Sequence, residues 1–562
     1  MRAMNSIAGP IGRIAAVLVL AGCNFAPHYE PPKTVPTPTF KEAVPGNAPA
    51  QGWKTAEPRD AEIRSAWWEV YQDPELNDLE SRVAISNQTV AGAEANYRVA
   101  HAMVQQAESA LFPTLTLNPS VVRSRSSAAD VFAGSVTGAS NPNLGSTTTT
   151  GTTTSAATGV STGERTIYSV PLEVSYQVDL WGSVRNSVAQ SRYSAQASAA
   201  QVATALLSTQ SQLAQDYFQV RVADEQRRLL DTTLADYQAS LHLVTTLLKG
   251  GLASEEDLAQ ANTQLESAKA QATDLGIARA QYEHAIAVLI GLPPAKFSLA
   301  YRHFNQALPT VPVGVPSDLL ERRPDIATAE RQVAASNAAI GIARAAYFPA
   351  LTLSGSAGFE STTVSQLFDW PNRFWSFGPA LAQTLFDAGA HRAASAQAQA
   401  LNDNAVANYR QTVLTAFQSV EDNLASLRIL AQELAEEHGA AAAAQHNVAL
   451  SVTRYRNGID SYVNVITAQN AFLTAREAEL QVQIRQLTAS VNLINNIGGG
   501  WSTSALDETE RMAQNPPRAG SEPQTGAQPA EAAVPNPPSL PNRELRPEEL
   551  LRQNAADMAP AP

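Results

Sequence analysis

SVRNSVAQSRYSAQASAAQVATALLSTQSQLAQDYFQVRVADEQRRLLDTTLADYQASLHLVTTLLK, Ser183 to Lys249, holds neither glycine nor proline and lies between Gly182 and Gly250-Gly251. Proline costs a helix interior about 3 kcal/mol and glycine about 1, so a run this long without either is read as helix. At about 1.5 Å per residue, one helix here would be roughly 100 Å long. Leu230, Leu234, Tyr237, Leu241, Val244 and Leu248 alternate steps of four and three, the beat of a coiled-coil seam. A second run between Gly389 and Gly458 has the same spacing, with its seam on Val413, Phe417, Val420, Leu424, Leu427 and Leu434. The shift between the copies is 207 (413 − 206), so Leu206 falls on Val413, Leu213 on Val420 and Val220 on Leu427. The second copy carries one glycine, Gly439, ahead of Ala440 to Ala444, and a local weak point is expected there.

The repetition reaches further. Phe112-Pro-Thr-Leu-Thr-Leu117 returns as Phe348-Pro-Ala-Leu-Thr-Leu353, a shift of 236 (348 − 112), and Val90, Ala91 and Glu94 fall on Ile326, Ala327 and Glu330. The chain therefore reads as a tandem duplication. The drop from 236 to 207 leaves 29 extra residues in the first half. They lie in 124–165, nearly all Ser, Thr, Gly, Ala and Asn, the composition of a solvated loop. After each Phe-Pro the apolar period becomes two. Tyr168, Val170, Leu172, Val174, Tyr176 and Val178 alternate with Ser169, Glu173, Ser175 and Gln177; Trp375, Phe377, Leu381 and Leu385 alternate with Ser376, Gly378, Ala380, Ala382 and Thr384. Such strands fit a half-buried soluble sheet or a membrane barrel with lipid outside and water inside. A long helix at one end and a long polar loop at the other favour the barrel. One chain supplies about four strands and a membrane barrel needs at least about eight, so several chains must share one wall.

Charged residues are only 16% and the net charge is −13, which disfavours nucleic acid as a partner. No apolar run reaches the length of a membrane-spanning helix, so insertion would use strands. Arg2 and Arg13 flank Ile14 to Leu20, followed by Leu20-Ala21-Gly22-Cys23. That is the plan of a secretory signal peptide. Leu-Ala-Gly-Cys resembles the bacterial lipobox, which makes Cys23, the only cysteine, the expected carrier of diacylglycerol and an N-acyl chain. Asn24 in place of Asp permits outer-membrane sorting by the same resemblance. Pro27 to Pro45 reads as an extended, proline-rich segment. Trp67, Trp68 and Tyr71 read as core at the first helix start, Asp73-Pro74-Glu75, and helix is expected to run on to about Leu111.

Both long helices turn back at small loops, Gly250-Gly251-Leu252-Ala253-Ser254 and Asn457-Gly458-Ile459-Asp460-Ser461. Glycine ends one helix and serine caps the next. Ser254-Glu255-Glu256-Asp257 is a helix start where carboxylates meet the positive end of the dipole. Asp460 precedes the Ser461 cap and is expected to be less committed to capping. The return helices end at Gly291 and Gly498, and Ser317 to Arg322 reads as a short helix before Arg323-Pro324-Asp325.

The lipobox, Trp67-Trp68 with Asp73-Pro74, Asp179-Leu-Trp-Gly182, Leu320-Glu-Arg-Arg-Pro-Asp325, Phe386-Asp-Ala-Gly389, Arg454-Tyr-Arg-Asn-Gly458 and Gly498-Gly-Gly-Trp501 occur in this order. The set resembles the outer-membrane factor family, the TolC-like export channels, in its lipoprotein branch serving drug-efflux pumps. The resemblance implies a mainly α trimer with a twelve-stranded outer-membrane β-barrel continuing into a long periplasmic α-helical barrel. It also implies a periplasmic adaptor and an inner-membrane pump as partners, and a mixed equatorial belt from Ala295 to Arg322 and just after Trp501. The expected organisation is a signal peptide (1–22), a lipid-anchored segment (23–66), repeat 1 (67–294), a linker (295–322), repeat 2 (323–501), then an equatorial segment and disordered tail (502–562). Within repeat 1 the hairpin is expected at about 114–180, the long helix at 183–249 and the return helix at 254–290. Within repeat 2 they are expected at about 350–387, 390–457 and 461–497. Gly182 and Gly389 mark the strand-to-helix turns; Gly251, Asp257, Gly458, Asp460, Val463 and Ile466 mark the periplasmic mouth. Some relatives close that mouth with an Asp and an Arg, where this chain has Thr467 and Asn470. Packing by Val463 and Ile466 is therefore expected to do the closing, with Asp257 and Asp460 setting cation preference.

No catalytic motif is present. The eight histidines are scattered, no metal-ligand spacing occurs, and Gly498-Gly499-Gly500 precedes no phosphate-loop lysine. No cofactor is expected beyond the lipid on Cys23. The alternative from another class is a trimeric coiled-coil surface protein or adhesin with a β-barrel anchor. Such a protein would place its strands once, at the C-terminus, whereas here hairpins occur twice inside the helical pattern.

Overall fold

A computed structural model describes residues 24–33, 40–42, 66–125, 164–303, 308–309 and 322–499, all within the compact unit Met1–Arg511. Seven α-helices and five strands follow in order among them: α1 Pro74–Ser86, α2 Gln88–Ser109, β1 Thr114–Leu117, β2 Ser120–Arg125, β3 Glu164–Val178, α3 Ser183–Lys249, α4 Glu255–Leu289, α5 Pro324–Ala345, β4 Ala350–Ser361, β5 Arg373–Ala382, α6 Ala390–Arg456 and α7 Tyr462–Asn496. The two long runs give α3 and α6, each of 67 residues, and the return helices α4 and α7 have 35 each. The seam residues Leu230, Tyr237 and Val244 of α3 are buried, with Leu234 and Leu241 packed against them.

Helix does not run unbroken to Leu111. It stops at Ser86, because Asn87 takes an extended conformation (ψ 126°) and its carboxamide oxygen caps α2 at Thr89 and Val90. The Asn87 Nδ2 donates to Leu289 O and the Ser86 hydroxyl to Ile290 O, so the break docks the chain on the end of α4. Nor does Gly439 interrupt α6, which stays helical through it. Asp73 caps α1 as its sequence suggests, accepting from Glu75 N and Leu76 N. Trp67 and Tyr71, in a short 3-10 turn, are buried with Leu76, Phe218 and Ile286 in the largest apolar cluster.

The five strands form one antiparallel sheet. β1 and β2 both pair with β3, so they make one line broken at Asn118-Pro119 rather than two separate strands of the wall. β3 pairs with β4 and β4 with β5. Register sorts the side chains by chemistry. Leu115, Val174, Gly355 and Phe377 share one face with Leu117, Leu172, Ala357 and Trp375; Thr116, Glu173, Ser356 and Ser376 lie on the other. The apolar face is open: Trp375 is 76% exposed, Phe377 73% and Leu381 67%. On the polar face the Ser356 and Ser376 hydroxyls bond at 2.8 Å.

Residues 24–33 and 40–42 lie along the helices without regular structure. The Phe25 ring stacks on Phe348 at 4.4 Å, beside Trp181. Asn337 Nδ2 donates to Pro27 O, and the Tyr29 hydroxyl bonds the Glu330 carboxylate. Further along, Phe40 is buried with Val420, Leu493 and Ile497, the Glu421 carboxylate accepts from Lys41 N and Glu42 N, and Arg428 pairs with Glu42 at 2.7 Å. A Cβ on Gly341 would fall 2.8 Å from the Ala26 Cβ, so only glycine lets this strap lie flat there.

Candidate functional site: the helical tips

Both strand-to-helix turns use glycine at positive φ, Gly182 (78°) and Gly389 (92°), each beginning a long helix. Neither can cap, so an aspartate does. Asp179 accepts from Val184 N and Arg185 N, and Asp387 from Gly389 N and His391 N. Those backbone donors hold the Asp387 carboxyl below the usual range.

At the other end, Gly251 (φ 73°) and Gly458 (φ 66°) reverse the chain. Leu252 N returns to Leu247 O and Ile459 N to Arg454 O, which closes the last turn of each long helix. Ser254 and Asp257 form a reciprocal capping box, so the Asp257 carboxylate is committed to the start of α4. Asp460 is committed as well, against expectation. Ser461 makes no side-chain cap bond; Asp460 instead accepts from Ser461 N, Arg454 Nε (3.1 Å) and the Asn464 carboxamide. The Asn464 bond first, then Arg454, hold its carboxyl low. Asp460 therefore braces the turn ahead of α7 without capping the helix's first backbone donors, and Arg454 partly neutralises it.

The two apolar candidates part company. Ile466 packs into the tip cluster of Val244, Ala261, Tyr455, Tyr462 and Val465, whereas Val463 is 49% exposed. Burial, then the neighbouring Asp257 carboxylate, push the Tyr455 phenol up; burial pushes Tyr462 up to about 12. Above this cluster lies a layer of neutral polar groups. Gln264 Nε2 donates to Asn470 Oδ1 (3.3 Å) and Gln469 Oε1 (3.4 Å), Tyr237 Oη to Asn470 Oδ1 (3.5 Å), and Gln469 Nε2 to Ser240 Oγ (3.1 Å). The layer ties α7 to α3 and α4 with no charge, while Thr467 turns its hydroxyl back to Val463 O. Sequence reasoning named Asn470 but not its partners, since nothing in the spacing says which helices are neighbours.

A second constellation was missed. Arg221, buried, donates to Asp224 (2.7 Å), Ala300 O and Glu75. Arg279 donates to Asp224 Oδ1, Glu283 and Leu299 O, and Glu283 accepts from Leu299 N. The cage clamps the chain after α4 onto α3 and α4. Its signal was an Arg–Asp pair at i, i+3 and an Arg–Glu pair at i, i+4 within apolar seams. Cys23 and the 126–163 part of the first loop lie outside the described residues, as do 310–321 with most of the Ser317 to Arg322 helix, and the tail beyond Gly499.

Among the described residues, no group of three or more His, Cys, Asp and Glu could hold a metal, and no helix is long and apolar enough to cross a membrane. The chain matches the outer membrane efflux protein family over 79–292 and 315–499. It is 29% identical to the probable efflux pump outer membrane protein TtgC of Pseudomonas putida over 502 residues, covering 89% of this chain and 97% of that one. It is 30% identical over 459 residues to the pyoverdine export outer membrane protein OpmQ of Pseudomonas aeruginosa, covering 81% and 92%. Among solved structures, the outer-membrane channel OprN superposes with a TM-score of 0.71 at 26% identity, covering 85% of this chain and all of that one. The open MtrE channel of Neisseria gonorrhoeae superposes with 0.70 at 25% identity, covering 86% and 99%. A family match in both halves, joined to a sheet with one open apolar face above paired long helices, places the chain in the outer membrane efflux protein family, as an outer-membrane channel and not an enzyme.

Proposed function

We propose that three copies of this chain form one duct, a twelve-stranded barrel in the outer membrane continued by a helical barrel in the periplasm. In this reading the chain is a tandem repeat, each half giving one hairpin and one helix pair. The observation that carries it is the sheet. Its apolar face is open, its polar face is lined by Ser and Thr, and its outer strands lack partners within the described chain. Edges and face both need company in lipid. The ten-residue register from Ala350↔Ala382 to Phe359↔Arg373 supports the fit. At about 3.3 Å per residue and roughly 40° tilt it spans about 25 Å, the height of a lipid-facing band. Trp181, Phe348 and Phe386 lie at its helix end and Phe368 and Trp370 at the other, as two girdles.

Cys23 is the lipid attachment in this account. The strap supports it, because Phe25, two residues on, stacks at the foot of β4, where the inner leaflet would lie. The 124–165 loop would then face outside the cell. At the opposite end the tips form the mouth where a periplasmic adaptor docks, linking the duct to an inner-membrane pump that supplies the energy. The relatives' names carry toluene, solvents, antibiotics and pyoverdine, and small molecules of that kind, drugs and toxic compounds among them, are the substrates in view. Closure is by apolar packing around Ile466 and by the neutral layer at Asn470, with Asp257 and Asp460 favouring cations at the mouth. Light scattering of the detergent-extracted protein tests the shared barrel. A mass of three chains is expected, and a stable single-chain mass would sink it.

A further inference from the structure

We propose that the helical part of the duct bends at one level, set by Gly276 in α4 and Gly439 in α6, just on the tip side of the ionic cage. The proposal rests on the gated-duct reading. Each glycine sits inside a long helix, where it is the poorer helix former, and no contact within the chain requires it. A Cβ on either would meet nothing within 4 Å, and neither has a positive φ. Gly341 shows the contrast, since a Cβ there would collide with the strap. Gly92 is also open but lies in α2, on the strand side of the Asn87 break.

The two glycines share a height. Gln264 bonds Asn470, so Gly276, twelve residues further along α4 (276 − 264), stands level with Val482 of α7 (470 + 12). His438 bonds Glu479 across α6 and α7 at 3.0 Å, so Gly439 stands level with Ala478. The offset is four residues (482 − 478), or about 6 Å, roughly one helical turn. In each antiparallel pair one helix carries the glycine, while its partner, α3 or α7, has none. Three residues beyond Gly276 begins the cage, where Arg279 holds Asp224 and Leu299 O. The segment above is therefore clamped and the segment below is held by the tip cluster and the neutral layer. At the same level Glu479, itself buried, takes both His438 of α6 and Arg476 of α7. That node is the contact across α6 and α7 that a bend at Gly439 must loosen.

The test is the reconstituted full-length protein in planar bilayers, with hydrogen exchange of 272–280 and 436–443 measured on the same samples. Gly276→Ala and Gly439→Ala should each lower open probability about fivefold, slow exchange at their own segment, and combine in the double variant. Glu479→Gln should raise open probability and speed exchange at 436–443. Unchanged exchange and gating in the double variant overturn the hinge. So does loss of the trimer on alanine substitution, which would assign the glycines to close approach between chains. If the wild-type protein carries no current the duct reading fails, and the exchange data alone decide whether these segments flex.

Discussion

Phe377 lies near the middle of the β4–β5 register, opposite Gly355, with its ring 73% exposed. If the open apolar face meets lipid, Phe377→Arg places a guanidinium near the bilayer midplane. That costs about 2–4 kcal/mol in each chain, or roughly 6–12 kcal/mol per trimer if the three sites add. Ser376→Arg, one residue away, points to the polar face. It loses the 2.8 Å bond to Ser356, worth about 1 kcal/mol, but leaves its charge in water. Urea unfolding of protein inserted in lipid vesicles compares the two. The expected result is a loss at Phe377 several times that at Ser376. Equal losses, or a larger loss at Ser376, would refute the assignment of faces and with it the barrel.

Further outcomes follow from the same structure. Cys23→Ser should abolish incorporation of labelled fatty acid, while the strap contacts at Phe25 and Phe40 remain; persistent labelling would contradict the lipobox reading. Asp257→Ala with Asp460→Ala should lower cation preference in single-channel recordings, modestly because Arg454 already offsets Asp460, and unchanged selectivity leaves Asp257 as a cap and Asp460 as a brace of the turn alone. Burial pushes the Asp216 carboxyl from 3.8 up to about 6, with the Gln212 amide pulling the other way. A folded value above the unfolded one gives stability that is full below the ordinary value and lost as pH rises through about 6. Asp216→Asn should therefore raise the melting temperature at pH 8 and change it little at pH 4; equal shifts at both would contradict the burial argument.

The long helices were legible because helix breakers are informative by absence, and the seam of Leu230, Tyr237 and Val244 is buried where a coiled-coil beat puts it. The faces of the sheet were legible because alternation fixes side-chain direction. The break at Asn87 was not, since neither glycine nor proline marks it; an asparagine that caps one helix while docking on Leu289 O depends on a residue about two hundred positions away. The strap was legible only as an extended segment. Its partners, Phe348, Glu330 and Glu421, are chosen by the fold. At the helical tips, the absence of an Asp–Arg pair at Thr467 and Asn470 was readable, but the amide layer that joins Asn470 to Gln264 and Tyr237 was not. Ser461 does take the N-cap position of α7, but its hydroxyl makes no cap bond; Asp460 beside it accepts instead from Ser461 N and the Asn464 carboxamide, a side-chain donor that spacing alone does not announce.

Conductance tests the central claim most directly. Purified protein in planar lipid should give discrete current steps, and Asn470→Ala, which cuts the neutral layer near the helical tips, should enlarge them or lengthen their open times. Protein that inserts into the bilayer yet passes no current, in the wild type and in Asn470→Ala alike, would contradict the account.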